Sequence, residues 1–165
     1  MSIPQKNIAE KNAHADSRLR LLVGYNMKRA YHEIQTELAA ALKELGLKVS
    51  SFAALATISH TPGLKQSVLA DILNIEQANL VLLVDSLEKD KLIKRERASS
   101  DRRAYALFAT QKGQLLCQQA DRICQSLEAE FLAGFSGDEI AHLIGSIQQI
   151  EKQIKAKEQA SYDRS

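Results

Sequence analysis

LKQSVLADILNIEQANLVLLVDSLEKDKLIKRERASSDRRAYALFAT, residues 64–110, changes its hydrophobic period part-way along, and that change decides the fold. Over residues 64–73 apolar side chains recur at three- and four-residue steps, which predicts a helix with Val68, Leu69, Ile72 and Leu73 facing inward. Asn74 and Gln77, three residues apart, have the spacing of a capping box, so a short turn and a second helix over residues 76–89 follow. This second helix should bury Leu80, Val84 and Leu87 and leave Gln77, Ala78, Asn79, Val81, Leu82 and Asp85 on its other faces. Residues 92–97 and 103–109 then read as two short strands, with 98–102 as the polar turn between them. Helix, turn, helix, basic hairpin is the order of a winged helix-turn-helix, so the fold class is mostly α with a two-stranded β-wing.

Charge points to the same stretch. Residues 89–103 hold seven Lys or Arg against three acids, whereas the whole chain nets only +2. A basic excess on an otherwise slightly acidic protein is either a solvated loop or an electrostatic footprint for a polyanion. On a rigid ribbon, Arg102 and Arg103 would reach a minor groove or phosphates, with Asp101 restraining one guanidinium through a charge-assisted hydrogen bond.

Working outward, residues 1–16 are polar and unpatterned, a flexible arm, and order should begin near Asp16 or Ser17. Leu19, Leu22, Val23, Met27, Ala30, Ile34, Leu38, Ala41, Leu42 and Leu45 predict one long amphipathic helix over 18–45, ended by Gly46. Phe52, Leu55, Ala56 and Ile58 mark a shorter helix that Thr61, Pro62 and Gly63 stop. Thr110 is placed to cap a helix carrying Leu115, Leu116, Ala120, Ile123, Leu127, Phe131 and Leu132, while Ser136 and Glu139 repeat the capping-box spacing ahead of a last helix through Ile154. One domain over 17–160 results, with a DNA-binding lobe at 50–110 between flanking helical segments at 17–46 and 111–160. The outer helices carry apolar stripes wider than so small a lobe can cover, which predicts a homodimer joined by an N- and C-terminal helical stalk.

Other classes fit poorly. No apolar run reaches 18 residues and the N-terminus lacks a secretory apolar stretch, so a cytoplasmic chain without membrane contact is expected. His14, His32, His60 and His142 are scattered, no Gly-rich phosphate loop occurs, and neither cysteine has a partner at catalytic or metal-ligating spacing; no enzyme, metal or cofactor is expected. Cys117 and Cys124 read as buried reduced thiols, with a redox sensor as the alternative if a thiolate proves exposed and of low pKa. A helical interaction module that binds no DNA would explain the stripes and leave the basic ribbon idle.

The wing pattern D-x-R followed by a strand ending in Thr, here Asp101, Arg103 and Thr110, resembles the MarR (multiple antibiotic resistance regulator) family of transcription factors, with Ala109 where leucine is usual. The resemblance runs from about Arg18 to Ile154. It implies a homodimeric repressor on a pseudo-palindromic duplex DNA operator whose half-sites lie about 10 base pairs apart or a multiple of that. By position, Gln77 and Asn79 are the base-reading candidates, Val81 suits a thymine methyl, and Ala78 shares their face. Lys65, Gln66 and Ser67 suit phosphates, and Arg97, Ser99, Ser100, Asp101, Arg102 and Arg103 form the wing contacts. Glu76, Leu82 and Asp85 stand where many members carry an arginine, so affinity leans on the wing; Leu82 and Leu83 could instead be core.

The family also implies release by a small ligand held between helices. The effector-binding candidates are Arg20, Tyr25, Lys28, Arg29, Phe52, Ser59 and His60, a mixture of cation, phenol and apolar wall that suits a small aromatic carboxylate or its acyl-CoA form. G-Y-x-x-K-R-A at residues 24–30 and I-E-x-x-x-L-V-x-L at 75–83 look closest to members that sense hydroxycinnamates or their aryl-CoA thioesters. The same residues of the first helix could equally be dimer surface.

Overall fold

The computed structural model describes residues 16–98 and 101–162, with the backbone alone at 98, 101–104, 158 and 161–162. A 3-10 turn, Leu19–Leu21, is followed by helices α1 (Val23–Lys43), α2 (Val49–His60), α3 (Gln66–Leu73), α4 (Gln77–Lys89), α5 (Gln111–Phe131) and α6 (Gly137–Tyr162). Strand β1 (Leu64–Lys65) precedes α3, and β2 (Ile93–Ala98) and β3 (Asp101–Ala109) lie between α4 and α5. Two compact units divide at Cys124, within α5.

The first unit contains the buried core. Leu55 and Ile58 of α2, Leu69 of α3, Leu80 and Val84 of α4 and Leu107 of β3 are all completely buried, and Leu42, Leu92, Ile93, Cys117 and Ala120 join the same cluster. Leu80, Val84 and Leu87 face inward as the spacing predicts. In α3 the inward pair is Leu69 and Ala70; Val68 and Ile72, predicted to be core, are exposed. A helix of only two turns offers the core a narrow stripe, and Ala70 lets α3 approach closely enough to exclude its outer neighbours.

Left-handed residues end α1, α3 and α4 in one way. After α1, Gly46 has φ +69°, its N–H bonds to Lys43 O, and the Leu47 N–H reaches back to Leu42 O, with Leu42 and Leu47 both buried: a Schellman motif with its apolar clasp. Asn74, at φ 51°, does the same for α3, as Ile75 N–H bonds to Ala70 O. Lys91, at φ 59°, does it for α4, with Leu92 N–H on Leu87 O. Asn74 therefore closes α3 and does not cap α4, which starts from Glu76 with no side-chain cap. The capping box expected at Asn74 and Gln77 is absent, since an αL residue cannot also adopt the extended conformation of an N-cap.

Two other expectations change. The long first helix is broken at Leu22, which is extended at ψ 126°; Asn26 Nδ2 donates to Arg20 O and Leu22 O, each at 2.8 Å, and so satisfies carbonyls the break exposes. The wing belongs to a three-stranded antiparallel sheet ordered β1-β3-β2, in which Leu64 pairs with Leu107 and Lys65 with Ala106. Pro62 and Gly63 stop α2 as expected, but the chain leaves them extended for two residues before α3 begins.

Thr110 caps α5 as its position predicts: Gly113 N–H donates to its Oγ1 at 3.0 Å, and that hydroxyl donates to Lys91 O at 2.8 Å. Gly113 itself lies so close to β2 that a Cβ would come within 2.0 Å of Leu92 O. In the second unit, Ser136 and Glu139 form the full capping box, with Ser136 N–H on Glu139 Oε2 at 2.8 Å and Glu139 N–H on Ser136 Oγ at 3.3 Å. Those bonds favour the carboxylate and hold Glu139 below its ordinary pKa. Leu143, Ile144, Ile147 and Ile154 of α6 are exposed.

Candidate nucleic-acid interface

α3 and α4 meet at 112° across a three-residue turn, within the range of a helix-turn-helix. Gln77, Ala78, Asn79, Val81 and Leu82 are exposed along one side of α4, while Leu80 and Val84 anchor its back. Leu82 is 69% exposed and so belongs to this outer face; Leu83 is the one that packs against the core. Lys65 and Ser67 are exposed at the start of α3, Gln66 is half-buried, and Gln77 Nε2 reaches Ser67 O at 3.4 Å. The structure thus gathers the α3 and α4 candidates on adjoining helix starts. A hollow of about 310 Å³ flanks them, lined by Asn79, Leu82 and Ser86 on one side and Lys48, Ser50 and Ser51 on the other.

The wing places its arginines on an irregular strand. Arg97, which is exposed, pairs with Tyr105, but the next residue, Ala98, pairs with Asp101, so residues 102–104 lie in β3 between neighbouring partners. Arg102 therefore sits in the strand, not in the turn where the sequence reading put it. Such a bulge interrupts the pairing ladder and bends the strand at the end of the ribbon. The side chains of Asp101, Arg102 and Arg103, like Ser99 and Ser100, lie outside the described residues.

Sequence reasoning missed Arg95. It was counted among the positive charges of the ribbon, yet its Nη2 bonds to Asp85 Oδ1 and its Nε faces Glu88 Oε2 at 3.4 Å without hydrogen-bond geometry. The Arg95 N–H donates to Glu88 Oε1 at 3.2 Å as well. One side chain thus braces β2 against α4 and fixes wing to helix. Asp85 and Glu88, three apart on a helix, were the available signal. Lys94 is likewise engaged, with Glu96 Oε1 at 2.6 Å and the Phe108 ring at 5.5 Å. Part of the basic excess is therefore neutralised within the fold.

This lobe can be compared with known proteins. The MarR family model matches residues 47–105, from the residue that closes α1 to the middle of β3. The lobe is similar to the DNA-binding domain of the MarR family. MarR-family structures extend the likeness beyond the lobe: the transcriptional repressor CouR bound to a 23-mer DNA duplex is 27% identical, with 82% of this chain and 96% of that one covered at a TM-score of 0.77. A MarR-family regulator from Listeria monocytogenes complexed with 26-mer DNA is 26% identical, covering 82% and 91% at 0.77. CouR from Rhodococcus jostii RHA1 bound to p-coumaroyl-CoA, 22% identical over 78% and 91% at 0.72, shares the fold. The likeness is thus to DNA-binding transcription regulators with a winged-helix fold.

The effector candidates separate into groups. Tyr25, Lys28 and Arg29 line a hollow of about 650 Å³ to which α1 alone contributes, and Arg29 lies 5.9 Å from the Tyr25 ring centroid. The α2 candidates do not reach it. Phe52 packs against the core, His60 Nδ1 bonds to Ala56 O at 2.8 Å, and Ser59 Oγ is buried near Cys117 with no hydrogen-bond partner of good geometry among the described residues. Arg20, Tyr25 and Arg29 instead converge on Asp16, whose Oδ2 lies 2.9, 2.7 and 3.8 Å from them. The Tyr25 hydroxyl first and then Arg20 and Arg29 hold the Asp16 carboxyl below its ordinary range.

Cys117 is buried, and desolvation raises its thiol pKa, with Asp121 adding to the rise and Ser59 opposing it. That is the opposite of the reactive thiolate a sensor needs. Cys124 is half-buried. Among the described residues no single helix is long and apolar enough to cross a membrane, and no cluster of three metal-ligating side chains occurs.

Proposed function

We propose that this regulator is a repressor that binds a pseudo-palindromic operator as a homodimer and leaves it when a small aromatic acid or its CoA thioester binds. The observation that carries the reading is the juxtaposition of an exposed Gln77–Asn79 face with a basic ribbon that Arg95 braces to the same helix. Carboxamides can bond adenine bidentately, Val81 can meet a thymine methyl, and Lys65, Gln66 and Ser67 stand where phosphates flank a helix start. Arg97, Arg102 and Arg103 supply the charge that tracks the backbone. The exposed Leu19, Leu21, Leu22 and Val23 in one unit, and Leu143, Ile144, Ile147 and Ile154 in the other, supply apolar surface for the stalk of a dimer.

The ligand class rests on Tyr25, Lys28 and Arg29 lining one hollow and on the p-coumaroyl-CoA solved with a relative. A cytoplasmic regulator without catalytic, metal or cofactor chemistry fits this role. Selection from a random duplex pool tests it: the recovered sequences should share an inverted repeat with half-site centres about one helical turn apart or a multiple. Addition of p-coumaroyl-CoA should then release the DNA, because a ligand that prefers one recognition-helix spacing shifts the population away from the DNA-bound state. Recovery of no inverted repeat would contradict the operator, and DNA and ligand bound without mutual antagonism would contradict induction.

A further inference from the structure

Three of the side chains assigned to an effector's anionic group already hold a carboxylate that belongs to the chain. Asp16 Oδ2 accepts from Tyr25 Oη at 2.7 Å and Arg20 Nε at 2.9 Å, with Arg29 Nη1 at 3.8 Å. The arrangement is one-sided, because Asp16 Oδ1 is buried and has no hydrogen-bond partner among the described residues. An unpaired buried acceptor carries its full desolvation cost, so this contact is weaker than one in which both oxygens are bonded. An incoming carboxylate or phosphate can offer a second oxygen to a guanidinium fork, a geometry the short Asp16 side chain does not reach.

We propose that Asp16 is an internal stand-in for the effector's oxyanion, occupying the Arg20–Tyr25–Arg29 site until a ligand carboxylate or phosphate displaces it; this rests on the effector reading above. Arg20 lies four residues from Asp16 and Tyr25 nine, so the tethered carboxylate competes at an effective concentration in roughly the millimolar range. The apparent affinity of a free anion is reduced by the fraction of molecules whose site is open. Asp16 thereby sets the threshold at which an effector acts. Displacement also frees the start of the 3-10 turn, where Arg20 N–H bonds to Asp16 O at 2.9 Å, and so links the anion site to the exposed Leu19 and Leu21.

Calorimetric titration of the full chain and its Asp16→Asn variant tests this with 4-hydroxycinnamate, its CoA thioester, its methyl ester and sulfate. If the internal contact is closed about nine-tenths of the time, Asp16→Asn tightens the anionic ligand about tenfold and leaves the methyl ester unchanged. A gain confined to the free acid identifies a carboxylate at the site, and a gain confined to the thioester a phosphate. Asp16→Ser must give the same gain, since it also vacates the site; a gain seen with Asn alone would overturn the proposal. Equal or weaker anion binding by both variants would overturn it while leaving the effector reading intact. Should neither aromatic ligand bind any form while sulfate binds the variants and loses that gain on Arg29→Gln, the internal stand-in holds and the effector reading falls.

Discussion

The lobe between α2 and β3 buries a row of large apolar side chains while leaving Val68, Ile72, Val81 and Leu82 on its outer faces, whereas the 3-10 turn with the start of α1, and separately α6, bury none of theirs. Leu55, Leu69, Leu80 and Leu107 are wholly buried within a single chain, while Leu21 is 84% exposed and Ile154 55%. Both regions have the same kind of amphipathic sequence. What differs is that the lobe contains three helices and a sheet whose apolar faces meet, and the outer helices do not find equivalent partners within their own units. The lobe, with Leu42 of α1 and Cys117 and Ala120 of α5, carries the buried core, and the outer segments carry the apolar surface that the proposed dimer would cover.

The comparison can be broken most severely at the lobe. Leu55→Ala should cost about 2–5 kcal/mol in denaturant unfolding, as a cavity opens where α2 meets the sheet; a cost under about 1 kcal/mol would mean the lobe is not the stable part. Gly113→Ala should cost about 1–3 kcal/mol, because the added methyl meets the Leu92 carbonyl where α5 leaves the lobe. No measurable loss would show that α5 shifts freely against β2.

The capping box at α6 gives a smaller, pH-dependent effect. Glu139 is held below its ordinary pKa of 4.5, so its contribution is complete above that value and disappears as the pH falls through the lower folded value. Thermal unfolding from about pH 6 to about pH 3 should show this loss in the parent and not in Glu139→Gln. The smallest change per chain belongs to Ile144→Ser with Ile147→Ser, within about 0.5 kcal/mol for lobe unfolding because both side chains are exposed. The same pair should abolish the dependence of Tm on protein concentration that a homodimer shows. Loss of lobe stability comparable to Leu55→Ala would erase the distinction between the two regions.

Much of this was legible in the chain, and the failures share a cause. The inward row of α4, the Thr110 cap and the Ser136–Glu139 box all depend on residues within four positions of one another, where periodicity and capping chemistry suffice. Asn74 failed because asparagine suits both an N-cap and a left-handed C-terminal position, and only the Ile75–Ala70 bond decides between them. The two residues of β1 are too few for any period, and their strand character comes from Leu107 and Ala106, more than forty positions away. The break at Leu22 depends on Asn26 folding back onto Arg20 and Leu22, which an unbroken apolar pattern conceals.

For the site, residue types pointed to a face of α4 that the fold leaves exposed, but not to the brace beneath it. Arg95 looked like one more positive charge of the ribbon until Asp85 and Glu88 were seen beside it. The effector set mixed residues that the fold separates, because Phe52 serves the core and Ser59 is buried near Cys117. Arg20, Tyr25 and Arg29 suit an anion by residue type, and the anion beside them is Asp16.

The central claim is that the bulged arginine pair of β3 carries the protein onto a phosphate backbone. Fluorescence anisotropy on a random-sequence duplex across a salt series measures it directly, comparing the parent with Arg102→Ala plus Arg103→Ala. The parent should lose affinity steeply as salt rises, and the double variant should bind more weakly with a log–log slope shallower by up to about 2, close to one released counterion per lost phosphate contact. Identical affinity and slope in the two proteins would contradict the account.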